Sequence, residues 1–375
     1  MQIARKQRFL LLSLPKSRMS KEAIMKDMQE VWSLVTTAGN AEIVDALVQR
    51  ADNPDGATYI GPGKVLELFE KVKDERIDIV VVNGIVKPGQ LHNLKRKLYE
   101  ANHAIEVWDR VDLILFIFSK HAHTSEAKLQ IELAKMRHMG PRIYGMGFIM
   151  SQQSAGIGTV GVGETNTELM KRHWSNAMKK VQEQLEKLSE DRERQLERRK
   201  RIGLTTVSIV GYTNAGKTSL FNRLSGKHKL AENALFATLD SAVGKMYLPK
   251  AQKEVLITDT IGFIKNLPPK LIQAFKSTLL ESIHAYVLIH VIDASDSEMT
   301  SKIIVVEQIL RELNVNNINM IYVFNKIDEA KNINREDIGF AYQQFTPHFI
   351  SVKNGEGIAE LEKLIDTIIA SKNNE

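Results

Sequence analysis

Cysteine is absent from the 375 residues. That excludes disulfides, thiolate zinc sites and cysteine nucleophiles, and it fits a reducing compartment. Long hydrophobic runs are absent too. The apolar stretch Phe9-Leu10-Leu11-Leu12-Ser13-Leu14 ends at Pro15 and leads into Lys16 and Arg18 without a small-residue cleavage site, so it reads as a first β-strand and not as a leader. Nothing approaches the ~20 apolar residues of a membrane span. The expectation is a soluble cytoplasmic protein, and the length favours two or three domains.

The charge that is present is unevenly placed. Residues 1–204 hold 33 Lys+Arg against 26 Asp+Glu, whereas residues 205–375 hold 18 against 19. The basic excess therefore lies wholly in the first part. A solvated surface and a nucleic-acid-facing one both account for it.

Periodicity divides the chain into three parts. Residues 1–110 alternate strand-like runs (Arg8–Leu14, Ile77–Val82, Ala104–Trp108) with helical patterns (Lys21–Ala38, Lys64–Lys73, Pro88–Ala101), which predicts a small α/β domain. In residues 111–203 an apolar run, Val111–Phe118, precedes a helical stripe of Leu129, Leu133 and Met136. A polar helix from about Thr165 to Arg201 carries Trp174, Met178, Val181, Leu185 and Leu188 in coiled-coil spacing, and Arg192 and Gln195 break that seam. The pattern predicts an antiparallel helical hairpin with a glycine-rich tip loop at Gly140–Gly163. The cations Arg198–Arg201 suit the helix C-terminus. Residues 204–375 return to regular α/β order, with strands at Thr206–Val210, Val255–Thr258, Tyr286–Ile292, Met320–Phe324 and Phe349–Ser351. Helices are expected near Lys217–Ser225, Lys270–Ile283, Thr300–Leu313 and Ile358–Ile369. This is the plan of a doubly wound sheet, whose ligands sit at the carboxyl ends of the strands.

Five short motifs fall at those ends. Gly211-Tyr212-Thr213-Asn214-Ala215-Gly216-Lys217-Thr218 is a P-loop between a strand and a helix. Its backbone N–H groups suit phosphate oxygens, Lys217 the β- and γ-phosphates, and the Thr218 hydroxyl Mg2+. Asp259-Thr260-Ile261-Gly262 ends the next strand, with Asp259 placed to hold magnesium through water and the Gly262 N–H to meet the γ-phosphate. Asn325-Lys326-Ile327-Asp328 is the base-reading motif. A carboxylate at Asp328 accepts from guanine N1–H and its 2-amino group, adenine offers neither donor, and Lys326 lies against the base face. Ser351-Val352-Lys353 would back the guanine O6. Phe236-Ala237-Thr238-Leu239-Asp240 is the expected first switch, in which Thr238 closes on magnesium and the γ-phosphate. Lys217, Thr238 and Gly262 are thus the candidate catalytic groups, and GTP the expected substrate. A glutamine that would orient the attacking water is missing, since Phe263 follows Gly262. Intrinsic hydrolysis is expected to be slow, on the order of 10⁻³ s⁻¹ or below.

Taken together, the P-loop, Phe-Ala-Thr-Leu-Asp and Asp-Thr-Ile-Gly-Phe-Ile resemble the HflX family of ribosome-associated GTPases. Tyr59-Ile60-Gly61-Pro62-Gly63-Lys64, Trp108-Asp109-Arg110 and His123–Gln130 extend the likeness over almost the whole chain. The hydrophobic residue at Phe263 is itself a feature of that family. The resemblance implies a factor that, in its GTP form, binds the large ribosomal subunit and its RNA and splits or rescues stalled ribosomes. A monomer is expected, since nothing beyond the hairpin invites dimerisation. The hairpin tip departs from the family pattern: Val160 and Val162 stand where arginine and proline are usual, and Asn166-Thr167 where Gln-Leu is. An RNA-binding or ribosome-assembly module with a slow GTPase timer is the alternative reading. A general ATPase or kinase sharing only the P-loop is a more distant one, against which Asp328 discriminates.

Overall fold

The computed structural model describes residues 5–154, 162–227, 242–265, 284–315, 319–330 and 334–372. The expected first switch, Phe236–Asp240, the expected helix Lys270–Ile283 and the tip residue Val160 lie outside them. By compactness the chain forms two units, 1–120 with 131–184 and 121–130 with 185–375. The helical pair expected at residues 111–203 has residues in both units.

In the first unit β1 (Gln7–Ser13), β2 (Ala41–Val48), β3 (Ile79–Val82) and β4 (Glu106–Asp109) form a wholly parallel sheet in the order β2-β1-β3-β4. Phe9 to Leu12 are fully buried, as a central parallel strand covered on both faces requires. Helices α1 (Lys21–Thr37), α2 (Pro62–Asp74) and α3 (Pro88–Leu98) connect the strands. Ser20 caps α1 by accepting from Ala23 N–H at 3.1 Å, and prolines open the other two, where a missing N–H costs nothing.

Strand β2 is invisible in the sequence for a physical reason. It is an edge strand, mostly half-exposed, and it carries Glu42 and Asp45, the latter ion-paired with Lys71 of α2. The apolar run after β4 is helix α4 (Arg110–His121), buried on nearly every side. Asp109 and Asp112 cap its start reciprocally, at 2.9 and 3.0 Å.

Helix α5 (Ser125–Ser154) brings His138 and Arg142 onto that cap. Arg142 donates to both oxygens of Asp112 and to Asp109, at 2.8–2.9 Å, and His138 Nε2 lies 3.1 Å from Asp109. Burial works against the imidazolium, but bonds to Asp109 and Asp112 prevail and raise His138 to about 9. Two cations balance two carboxylates, so this network is a closed joint between helices.

The expected tip loop is shorter than the glycines suggested. Helix α5 continues through Gly140, Gly145 and Gly147 to Ser154, and α6 (Val162–Arg201) starts before Gly163. Each glycine costs a helix about 1 kcal/mol, but extending a formed helix adds a hydrogen bond per residue and escapes nucleation. The seam also reaches further than its apolar residues. Arg192, in the position that breaks the pattern, pairs with Glu126 of α5 at 2.8 Å, and Leu196 beyond it is buried. Trp174 Nε1 donates to Met136 O at 3.2 Å. The two pairings run in opposite senses along α5 and α6, as in an antiparallel pair.

The second unit contains a six-stranded sheet in the order β10-β9-β8-β5-β7-β6. Its strands are β5 (Thr206–Gly211), β6 (Ala242–Leu248), β7 (Lys253–Asp259), β8 (Val287–Asp293), β9 (Asn319–Asn325) and β10 (His348–Phe349). All pairings are parallel except β6 with β7. Helices α7 (Lys217–Ser225), α8 (Met299–Glu312), α9 (Arg335–Ala341) and α10 (Ile358–Lys372) accompany it. One core joins Val207, Ile209, Ile289 and Val323 to Phe221 of α7 and Leu361 and Ile365 of α10. Strand β6 was missed because it is an antiparallel edge: Gly244, Met246 and Leu248 turn inward while Lys245 and Tyr247 face out. β5, β7, β8 and β9 deliver their carboxyl ends to one edge, and the motifs lie there.

Candidate nucleotide site

Strand β5 feeds directly into the phosphate loop. Gly211 has φ of 151°, and a Cβ there would run into Val291 O; Gly216, at φ 95°, would run into the Asn325 amide. Both positions need glycine for conformation and for room. Asn214 adopts φ of 63°, a left-handed turn that asparagine tolerates well. Gly216 then opens α7, whose first N–H groups face the loop.

Lys217 is 6% exposed, and its Nζ donates to Tyr212 O at 2.7 Å. Burial lowers its pKa to about 8, with nearby Asp259 acting in the opposite direction. Burial thus disfavours the charged amine, a cost that phosphate charge beside it would relieve. Thr218 Oγ1 donates to Asp259 Oδ2 at 2.9 Å, bringing together a hydroxyl from the first turn of α7 and the carboxylate that ends β7. Thr260 turns inward and donates to Ile209 O at 2.7 Å, which ties the end of β7 to β5. Hard oxygen donors placed in this way suit a small divalent cation such as Mg2+.

The second half of the site is joined to the first by one side chain. Asn325 donates to Ala215 O at 2.9 Å and accepts from Val352 N–H at 3.1 Å. Asp328 accepts from Ser351 Oγ at 2.7 Å, and Lys353 Nζ lies 3.8 Å from its other oxygen. The Ser351 hydroxyl, more than any other cause, holds the Asp328 carboxyl below its ordinary value. The Ser351 hydroxyl, in the segment expected to back the base oxygen, also orients Asp328 and accepts from Asn354 N–H at 3.2 Å. Ser351→Ala is therefore expected to weaken guanine-nucleotide binding about five-fold, the worth of one net hydrogen bond, as read by equilibrium titration. An unchanged affinity would show that the carboxylate needs no such anchor.

Lys326, at φ 65°, pairs through Nζ with Asp293 Oδ2 at 2.6 Å. Sequence reasoning missed Asp293, although a carboxylate directly after an apolar β-run is the signal that identified Asp259. Ile327 completes the motif, its N–H donating to Ile350 O at 3.3 Å. Thus four of the five motifs converge on one edge, with Gly262 and Phe263 against the phosphate loop; the fifth, Phe236–Asp240, lies outside the described residues.

Comparison with known proteins agrees with this geometry. Family models match the chain in succession: GTP-binding GTPase N-terminal over residues 25–119, GTP-binding GTPase Middle Region over 121–199, and 50S ribosome-binding GTPase over 206–326. GTPase HflX of Caldanaerobacter subterraneus subsp. tengcongensis is 40% identical over 364 residues, which span 96% of this chain and 80% of that protein. GTPase HflX of Escherichia coli K12 is 37% identical, over 90% of this chain and 78% of that one. Among solved structures, the SsGBP–GDP complex aligns with 97% of this chain and 99% of its own, at TM-score 0.55 and 27% identity. A GTP-binding protein of Sulfolobus solfataricus in complex with GDP, at 24% identity and TM-score 0.52 over 97% of this chain and 99% of its own, shares the fold. The chain belongs to the HflX family and is a P-loop GTPase, which binds GTP and hydrolyses it to GDP and phosphate.

Proposed function

We propose that this GTPase is a GTP-gated factor of the large ribosomal subunit that separates or rescues stalled ribosomes. The observation that carries the reading is the division of labour along the chain. The nucleotide site occupies a part that is close to charge-neutral, while the basic excess, 33 against 26, belongs to the α/β domain and paired helices before it. Such a surplus suits a polyanion, since each neutralised phosphate releases condensed counterions. The family model described as a 50S ribosome-binding GTPase supports the choice of ribosomal RNA.

Within the site, Gly211 to Thr218 would cradle the phosphates and Lys217 would neutralise the β- and γ-phosphates. Asp328 would read guanine, with Lys326 along the base, and Gly262 N–H would meet the γ-phosphate. Thr218 and Thr238 would hold Mg2+ directly and Asp259 through water. Magnesium, when bound, supplies positive charge that draws the β- and γ-oxygens together and stabilises the transferred phosphoryl group. Phe263 is 1% exposed and carries no group that can orient water, so ribosome contact is expected to supply the stimulus.

Co-sedimentation tests the proposal. With a non-hydrolysable GTP analogue the protein should pellet with ribosomes and shift them toward free subunits, and with GDP it should stay in the supernatant. Equal association in both states, or none, overturns it. Salt-sensitive binding to naked RNA regardless of nucleotide would favour an assembly module whose GTPase acts as a timer, a reading motivated by the valines at 160 and 162.

A further inference from the structure

The phosphate loop is covered by the residues that follow Asp259. Tyr212 and Phe263 form a short parallel bridge. In it Thr213 N–H donates to Phe263 O at 2.8 Å, and Phe263 N–H donates to Gly211 O at 3.1 Å. Two residues on, Lys265 N–H donates to the Tyr212 phenolic oxygen at 2.7 Å. The Tyr212 ring is held in turn. Lys302 of α8 places its amine 4.8 Å from the ring centroid, and is itself ion-paired with Asp296. Tyr212 thus sits at the centre of this bridge: Gly211 and Thr213 on either side supply its backbone bonds, and the Tyr212 side chain reaches Lys265.

This cover lies against the amine that would meet a third phosphate. A Cβ on Gly262 would lie 2.9 Å from Lys217 Nζ and 2.8 Å from Thr213 Cγ2, so no side chain fits between Gly262 and the amine. The Phe263 carbonyl, bonded to Thr213 N–H, adds partial negative charge where a γ-phosphate would bring more. The N–H groups opening α7, which suit the β-phosphate, are not involved in these bonds. The covered form is therefore compatible with a diphosphate and hostile to a triphosphate. It is also imperfect: the Thr213 hydroxyl is buried without a hydrogen-bond partner among the described residues, a cost that opening relieves.

We propose that Tyr212 is a positioning residue that sets the balance between GDP and GTP, by latching residues 262–265 over the phosphate loop. GTP must break this latch before the Gly262 N–H can turn to the γ-phosphate; GDP need not. Tyr212→Phe keeps the ring and its contact with Lys302 and removes only the hydroxyl. Lys265→Pro removes the donor instead.

Titration of the full-length protein with fluorescent GDP and a fluorescent non-hydrolysable GTP analogue tests the latch. Tyr212→Phe should shift the ratio of GTP-analogue to GDP affinity about five-fold toward the analogue, one net hydrogen bond. The double variant should gain no more than Tyr212→Phe alone, because both changes delete the same bond. Amide exchange at Lys265 should be slow with GDP in the wild type and fast in Tyr212→Phe. An equal shift for both nucleotides would reduce Tyr212 to loop packing and overturn the proposal, as would unchanged affinities or multiplying effects. Should Lys265→Pro fail to fold, Tyr212→Phe with its two readouts still decides.

Discussion

Asp328→Asn is expected to lower GTP affinity by about 10²–10³-fold and to transfer the preference to xanthosine triphosphate. The carboxylate has only acceptors to offer, and guanine offers two donors, N1–H and the 2-amino group. An amide in its place turns one acceptor into a donor that faces another donor, so a charge-assisted bond is lost and a buried donor is stranded, together about 3–4 kcal/mol. Xanthine carries a carbonyl at the same carbon and restores the match. The Ser351 hydroxyl, 2.7 Å from Asp328 Oδ1, keeps the replacement side chain in place, so rotation away is not an easy escape. Competition titrations with the two triphosphates check this. A variant that was merely unfolded would bind neither, and one that still preferred GTP would show that another group reads the base.

The second large effect concerns Lys217. Its buried amine has a pKa near 8, against an ordinary value of 10.5, with burial as the cause. The folded nucleotide-free protein therefore releases a proton in the window between about pH 8 and 10.5, where the unfolded chain still holds one. Stability of that form should rise with pH across the window, by about 3 kcal/mol in all, and this gain should be lost as pH falls through 8. Two outcomes follow. Lys217→Met, which fills the same space without charge, should raise the melting temperature of the nucleotide-free protein at pH 7 while abolishing hydrolysis. Nucleotide binding at pH 9 should take up a proton, because phosphate charge restores the ammonium. Calorimetric titration in buffers of different ionisation enthalpy measures that uptake. A Lys217→Met variant less stable than the wild type at pH 7 would mean that the amine is solvated better than its burial indicates.

The elements the sequence revealed are those whose local chemistry is one-sided. Helix α7 was located from Lys217 to Ser225, the range observed, because a glycine opens it, another closes it, and Leu220, Phe221 and Leu224 define one face. The parallel strands of the nucleotide-binding sheet were legible as apolar runs, and the motifs at their ends marked the site before any geometry was known. Edge strands were not legible. Residues 41–48 and 242–248 mix charge or glycine with apolar residues, since only one face of each is buried, and their identity is settled by the neighbour they pair with. The seam of α6 looked finished at Leu188 because a periodicity argument counts only apolar residues. Arg192 occupies a seam position by pairing with Glu126, which depends on a residue 66 positions away. Local propensity failed similarly at Gly140, where the glycines suggested a loop and helix α5 continued. Tyr212 was read as one of eight loop residues; that its hydroxyl reaches Lys265 could not be seen without the fold.

Asn325 has a mechanical consequence. With one amide it clasps Ala215 of the phosphate loop and Val352 of the turn beside Asp328. Phosphate end and base end are thereby riveted into a single plate, and neither can flex without dragging the other. Affinity measured for guanosine alone and for pyrophosphate alone should for that reason not sum to the affinity for GDP, because whichever fragment arrives first stiffens the seat of the second. Cutting the rivet with Asn325→Ala should return the two ends to independence, a loss of cooperation between fragments and not merely of grip on either one.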